Sequence, residues 1–489
     1  MMLPESFCRK HRVFVTQRDD DVVELNFQPP LLPWVYAYVS RMIARPLTLR
    51  EASSDDIDNC LASVQEGRGI TAQTVENMVS THSFSGLLET LPQDSLLSLE
   101  DSDAPVIRLV TAMLEEASAA GASDIHIETF QHFFQVRYRI DGVMQNVSQG
   151  DVRLAASLIS RLKIMAQLDI AERRRPQDGR FIHAMATQDI DVRLSVIPVS
   201  HGERAVLRLL DPRNLSADYG SLGIPAYISQ HLSQLIHKPN GFILVTGPTG
   251  SGKSSTLYAT LLQLSQGHHT ILTIEDPVEY KLAGVGQTQV NSRIALDFAQ
   301  GLRALLRQDP DIVMIGEIRD TETARVAIQA SLTGHLVFST LHTNSAIGGV
   351  ARLRDMGIES WLLASSLSAL LAQRLVRKLC PHCRKAGLAT KAEQRWLRLN
   401  DEQASRTVIY RPEGCNACRG RGYRGRTGIY ELVVITPAMR EKIQQHASGA
   451  SLVECARQTL PGIEEDARQK VLAGLTSCEE VMRVVEESE

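Results

Sequence analysis

The most constraining stretch of this chain is the phosphate-loop pattern Gly247-Pro-Thr-Gly-Ser-Gly252-Lys253-Ser254. It follows the apolar run FILVT and precedes a helical segment, Ser255–Leu264, which is the strand–loop–helix context that G-x-x-x-x-G-K-[ST] requires. The glycines let successive backbone N–H groups curl around phosphate oxygens, and the helix N-terminus adds its partial positive charge. Gly247, Pro248, Thr249, Gly250, Ser251, Gly252, Lys253, Ser254 and Ser255 are therefore the candidate nucleotide cradle. Lys253 supplies a point charge for the β- and γ-phosphates, and the Ser254 hydroxyl is placed to hold Mg²⁺. A chain carrying this loop is committed to a mostly parallel sheet in at least one domain.

The surrounding pattern agrees. Short apolar runs at Gly241–Thr246, His269–Ile274, Ile312–Ile315 and Val337–Thr340 alternate with helical patterns, as in a sheet covered on both faces. Two strand ends carry acids. Asp311-Ile-Val-Met-Ile-Gly-Glu317 presents Glu317, the choice for polarising an attacking water. Gly316 stands where an aspartate is usual, so metal contact there would be water-mediated or shared. The second acidic strand end, Glu275-Asp276-Pro277-Val278-Glu279, offers Glu275 and Glu279. His342 follows a strand of the same sheet and is a candidate γ-phosphate sensor; His335 reads as structural.

At 489 residues the chain has room for about three domains. With 43% hydrophobic and 22% charged residues it is neither a disordered nor a coiled-coil chain, and a net charge of −4 does not mark an obvious polyanion binder. No apolar run reaches membrane-spanning length. The best one, Leu362–Leu375, is interrupted by Ser365, Ser366, Ser368 and Gln373 and reads as a buried helix. Glu5, Arg9, Lys10 and Arg12 leave no apolar signal segment, so a cytosolic location is the default. Residues 1–80 read as a small docking domain, with a strand near Arg12–Thr16 and helices near Tyr36–Met42 and Ala72–Val79. Residues 81–104, rich in Ser, Asp and Pro, read as a linker. Residues 105–222 read as an α+β domain opened by an amphipathic helix that Gly121 stops. Its strands fall at Ile125–Glu128, Phe133–Ile140, Phe181–Ala184, Asp191–Ser195 and Arg204–Leu209, with a turn at Asp141-Gly142 and a helix near Asp151–Ala166. Residues 223–489 form the α/β domain.

Four of eight cysteines form two Cys-x-x-Cys pairs, Cys380/Cys383 and Cys415/Cys418. Two such knuckles can close one tetrahedral tetrathiolate site, and zinc is favoured because nothing else in the chain points to redox chemistry. The 31-residue gap implies an inserted helix near Lys391–Leu399, and the module spans 376–428. All four positions would be filled by protein, so the metal would be structural. Between Arg374 and Arg426 there are fourteen Lys+Arg and four Asp+Glu, a basic lobe that could meet anionic phospholipid headgroups or an acidic partner.

Taken together, GPTGSGKS, TIEDPVEY, DPDIVMIGEIRD and TGHLVFSTLHTN resemble the Walker A, Asp box, Walker B and His box of the secretion ATPases of type II secretion and type IV pilus systems. SDIHIE, RRRPQDGR, DVRLS and GERAVLRLL upstream resemble that family's second N-terminal domain. The resemblance covers about 105–432. It implies a multidomain α/β protein: a RecA-like P-loop ATPase domain with an inserted tetracysteine zinc module, preceded by a PAS-like α+β domain and a small docking domain. It also implies a homo-hexameric, Mg²⁺-dependent ATP hydrolase. Lys253, Ser254, Glu317, Glu275, Glu279 and His342 fall on the family's catalytic positions. Arg303 and Arg307, four apart on a predicted helix, resemble its phosphate-directed arginines, and Arg193 and Arg208 resemble those that reach in from the second domain. The tetracysteine module and short N-terminal region favour the type II secretion branch, acting at the cytoplasmic face of the inner membrane with membrane anchor and platform proteins. A pilus-assembly ATPase is the alternative, and a DNA-uptake or DNA-translocating ATPase the rival of another class, although no nucleic-acid partner is expected.

Overall fold

A computed structural model describes residues 11–17, 23–43, 47–53, 84–90, 104–185, 189–211, 216–266, 269–404 and 406–486. The chain divides into two compact units, Met1–Pro92 and Gln93–Glu489.

In the first unit, β1 (Val13–Gln17), β2 (Val23–Phe27) and β3 (Leu47–Glu51) form a sheet in that order, antiparallel then parallel, with α1 (Pro33–Ile43) between β2 and β3. The parallel pair needs a crossover, which α1 supplies. Val13, Leu25, Val35 and Val39 make its small core. A short helix, Phe84–Thr90, lies inside the stretch that composition marks as linker. Phe84, fully buried, anchors this helix. The helix expected near Ala72–Val79 lies outside the described residues.

The second unit begins with α2 (Ala104–Ala119), stopped by Gly121 at φ +69°. A six-stranded antiparallel sheet follows: β4 (Ala122–Thr129), β5 (Phe133–Ile140), β6 (Val143–Asp151), β7 (Gln177–Ala184), β8 (Asp189–Val199) and β9 (Gly202–Leu210), ordered β6-β5-β4-β9-β8-β7. Strand β6 escaped the sequence reading because VMQNVSQGD is polar; it is an edge strand and buries little. Asp141 and Gly142 turn the β5–β6 hairpin, both with positive φ. Between β6 and β7, α3 (Val152–Met165) is capped by Asp151, whose carboxylate accepts the Arg153 N–H.

The main sheet of the nucleotide-loop domain has seven strands among the described residues: β10 (Gly241–Thr246), β11 (Ile271–Glu275), β12 (Gly286–Gln289), β13 (Ile312–Ile315), β14 (Leu336–Leu341), β15 (Leu367–Leu379) and β18 (Tyr423–Val434). Their order is β12-β11-β13-β14-β10-β15-β18, parallel except for β18. β10, β13 and β14 are buried along their whole length. Phe242 and Leu244 face one core, and Ile243 and Val245 the other. The α-helices ahead of β15 are α4 (Ala226–Ile236), α5 (Lys253–Leu264), α6 (Phe298–Leu305), α7 (Thr321–Leu332), α8 (Ala346–Asp355) and α9 (Ser360–Ser366), and four more, Pro437–Gln444, Gly449–Arg457, Ile463–Leu472 and Cys478–Glu486, follow β18. They cover both faces.

The segment read as one buried helix, Leu362–Leu375, is corrected here. Only its first residues belong to α9; the rest is β15, paired with β10 on one side and β18 on the other. A strand buried on both faces loses the polar alternation that would mark it, so its apolar run mimics a helix. The cysteine-bearing insertion holds a two-stranded sheet, β16 (Lys385–Leu388) with β17 (Val408–Arg411), and the expected helix, α10 (Lys391–Trp396), begun by a Thr390/Glu393 capping box.

Candidate nucleotide site

The loop after β10 is shaped by backbone that side chains would obstruct. Gly247 has φ +150°, and a Cβ there would lie 2.4 Å from the Gln373 carbonyl oxygen. Gly250 takes φ +78°, a left-handed conformation that costs glycine little. Lys253 opens α5 and is largely buried. Its Nζ donates to the carbonyls of Gly247 (2.8 Å) and Pro248 (3.0 Å). Burial pulls its pKa down to about 8, against the opposing pull of Glu317. The loop is braced from outside by Gln373 on β15, whose amide donates to the Ser251 carbonyl at 2.8 Å.

The loop opens onto a cleft of about 420 Å³ lined by residues from Thr249 to Ser255 and by Glu275, Glu279, Glu317, His342 and Arg208. Seven candidate residues, Lys253, Ser254, Glu275, Glu279, Glu317, His342 and Arg208, thus meet in one place. Glu317, just past β13, is held at both oxygens: His342 Nε2 lies 3.0 Å from Oε2, and Arg319 pairs with Oε1. Glu275, at the end of β11, accepts hydrogen bonds from the Tyr258 hydroxyl, from Thr273 Oγ1 (2.6 Å) and from Gln287 Nε2 (3.0 Å).

The α+β sheet forms the opposite wall. Arg208 on β9 contacts the Asp124 carboxylate at 3.2 Å, and Arg193 on β8 pairs with Glu279 at 3.0 Å and donates to the Val278 carbonyl. Arg303 and Arg307 do not line this cleft. Arg303 pairs with Glu322 at 2.6 Å. Arg307 lies beyond α6, which ends at Leu305, so the two do not share a helix face as expected. Asp309, with φ +53°, and Pro310 end the helix early.

The four cysteines come together. Sγ–Sγ distances are 3.9 Å (Cys380–Cys415), 3.7 Å (Cys383–Cys418) and 3.8 Å (Cys415–Cys418), and all four sulfurs lie within 4.8 Å of one another. A tetrahedron with metal–sulfur bonds of about 2.3 Å has edges of about 3.8 Å, so the set fits one zinc-sized ion. Backbone N–H groups of Gly414, Cys415 and Gly422 point at the sulfurs (3.1–3.3 Å), the donor arrangement that favours thiolates. The basic lobe is less free than its sequence implies. Arg377 pairs with Glu480, Arg411 with Glu393, and Arg421 and Arg426 approach Asp141 of the β5–β6 turn.

Sequence reasoning missed Tyr258, Gln287, Arg319, Gln373 and Asp141. Arg319, two residues after Glu317, was the one within reach of motif reading. The others act across folded distances that only topology sets.

No helix among the described residues is long and apolar enough to cross a membrane. The chain is 49% identical to the type II secretion system protein E of Aeromonas hydrophila over 99% of its own length and 96% of the relative's. It is 47% identical to the type II secretion system ATPase E of Vibrio cholerae, over 99% and 97%. Among solved structures, the pilus retraction motor PilT with bound ADP matches with a TM-score of 0.53 and 26% identity, covering 76% of this chain and 95% of that one. The family described as type II/IV secretion system protein matches residues 99–483, and with relatives near half identity along almost its whole length, the chain belongs to that family.

Proposed function

We propose that this chain is the motor ATPase of a type II secretion system, coupling ATP hydrolysis to pseudopilus assembly and protein export. The observation that carries the reading is a single cleft that joins the Lys253 loop to Glu317 and His342 on one wall and to Arg208 on the other. Entering phosphates would exchange with the carbonyls that now hold Lys253. Ser254 would hold Mg²⁺, which supplies charge neutralisation on the β- and γ-phosphates. Glu317, oriented by His342, would take the proton of the attacking water. Arg193 and Arg208 would turn from their acidic partners to the phosphates as the α+β domain closes, so that catalysis waits on closure. The α+β sheet is the PAS-like domain of this reading, residues 1–80 are its docking module, and 376–428 its zinc module. Zinc held by Cys380, Cys383, Cys415 and Cys418 would fix the lobe that carries Arg421 and Arg426.

Arg303 and Arg307 stand outside the chain's own cleft, which suits a homo-hexameric ring in which they serve a neighbouring copy. Docking on inner-membrane anchor and platform proteins would place the ring at the cytoplasmic membrane face, with Lys385, Arg398, Arg406 and Arg424 among the exposed cations open to anionic lipid. The pilus-assembly reading differs in partner and not in chemistry. It would be favoured if full-length protein captured from a native membrane fraction came with pilus rather than secretion components.

The test of the chemistry is phosphate release by the assembled protein with Glu317→Gln as control. We expect the variant to bind ATP as the parent does while turnover falls on the order of 10²- to 10³-fold. Equal turnover would remove Glu317 from the role.

A further inference from the structure

One hydroxyl ties three parts of the cleft together. Tyr258 lies on α5, five residues after Lys253, with its ring buried in the core beneath the sheet and edge-on to Tyr280 at 6.2 Å. Its hydroxyl donates to Glu275 Oε2 and accepts the backbone N–H of Glu279 at 3.2 Å. A phenol has one proton to give, and here it goes to the carboxylate; the lone pair left over receives the amide. Burial, with the nearby Glu275 charge, pushes Tyr258 ionisation far upward, so it remains a donor.

Glu275 is only 4% exposed. Its partners are three neutral donors, Tyr258, Thr273 and Gln287, and among the described residues no lysine or arginine pairs with it. A buried carboxylate held this way keeps its orientation without having its charge cancelled, and that charge faces the cleft. Four residues on, the Glu279 carboxylate holds Arg193 of the α+β domain. The phosphate-loop helix, the acid-bearing strand end and the turn that receives the other domain therefore share one oxygen atom as their joint.

We propose that Tyr258 is a positioning residue: its hydroxyl aims the Glu275 carboxylate at the cation that accompanies bound nucleotide and keeps the 275–279 turn in register with the phosphate loop. The proposal rests on the cleft being an ATP-hydrolysing site. It explains why α5 carries a tyrosine pointing into the sheet where an apolar side chain would fill the same core. In Tyr258→Phe the ring remains and the hydroxyl alone goes, so both the carboxylate and the Glu279 amide lose their shared partner.

The experiment uses the full chain, steady-state ATP hydrolysis and Mg²⁺ titration. Tyr258→Phe should lower kcat about 10-fold, leave KM for ATP within about 3-fold, and raise the Mg²⁺ concentration for half-maximal activity several-fold. A purely structural tyrosine would shift Tm without moving the Mg²⁺ requirement. In the double variant Tyr258→Phe/Glu275→Gln, the tyrosine change should add little to Glu275→Gln alone, because both act through the same carboxylate. Gln287→Leu removes another donor to Glu275 from outside the core. It should move kcat and Mg²⁺ dependence in the same direction, again without adding to Glu275→Gln, which keeps the test decisive if Tyr258→Phe folds poorly. Full multiplicativity with Glu275→Gln, or an unchanged Mg²⁺ requirement in both variants, overturns the proposal. A parent protein with no turnover above Lys253→Ala would instead overturn the ATPase reading beneath it.

Discussion

The two walls of the cleft are built on different principles. On the sheet side, the functional groups are fixed by elements that cannot move independently: Lys253 by its own loop, Glu275 by three donors, and Glu317 by the end of a fully buried strand. On the α+β side, Arg193 and Arg208 are held by single acidic partners, Glu279 and Asp124, and Arg208 remains more than half exposed. A guanidinium that stays largely in water, as that of Arg208 does, is screened from its carboxylate and can exchange for a better anion; Arg193 is more enclosed, at 18% exposure. The fixed wall is therefore suited to binding, and the exchangeable wall to timing. The same contrast recurs at Asp141, which offers its carboxylate to the Gly425 N–H at 3.0 Å and to Arg421 and Arg426. The α+β domain thus touches the other domain through contacts that a few ångströms of motion would break.

If the division is real, substitutions on the two walls should fail differently. Lys253→Ala should have the largest effect, losing nucleotide binding along with about 10³-fold or more of turnover, because the phosphates lose their buried cation in both ground and transition states. Isothermal titration with a non-hydrolysable analogue reads the binding directly, and retained affinity would break the assignment of binding to the fixed wall. Arg193→Ala and Arg208→Ala should each cost kcat on the order of 10²-fold while analogue affinity changes by less than about 3-fold. If either arginine variant lost affinity in step with kcat, that wall would be a binding wall too, and the comparison would fail.

What could be seen in the sequence follows the same line. The sheet side was legible because its signals are local: the glycine pattern and its lysine are contiguous in the chain, and each strand-end acid follows the apolar run that carries it. The cysteine cluster was legible because Cys-x-x-Cys spacing builds each half of the site before folding brings the halves together. Strand β15 was misread because it is buried on both faces and so carries helix-like apolarity. Strand β6 was overlooked for the opposite reason, as an edge that buries little. Tyr258 and Glu275 are 17 residues apart, and Asp141 and Gly425 are separated by 284. No periodicity records such pairs; they exist only once strand order has been set. The early end of α6 belongs to a different class, since Asp309-Pro310 is a local stop signal that separates Arg303 from Arg307.

The smallest expected effect concerns Lys253 and carries its own sign. Burial lowers its pKa to about 8 in the free protein, and bound phosphates, being anionic, must raise it. Between those two values, nucleotide binding takes up a proton, so affinity should fall as pH rises above about 8, by at most tenfold per pH unit, and should be nearly flat below that. Titration at pH 8.5 in buffers of different ionisation enthalpy should show a fractional proton uptake, which disappears at pH 7. Stability runs the other way. An unfolded lysine titrates near 10.5, so between about pH 8 and 10.5 the unfolded state binds more protons, and this group's contribution to folding stability rises with pH. Lys253→Arg keeps the charge but cannot lose its proton, and should abolish both dependences. Proton uptake that survives in that variant would assign the titration to another group in the cleft, and the fixed wall would then owe its affinity to something other than this buried lysine.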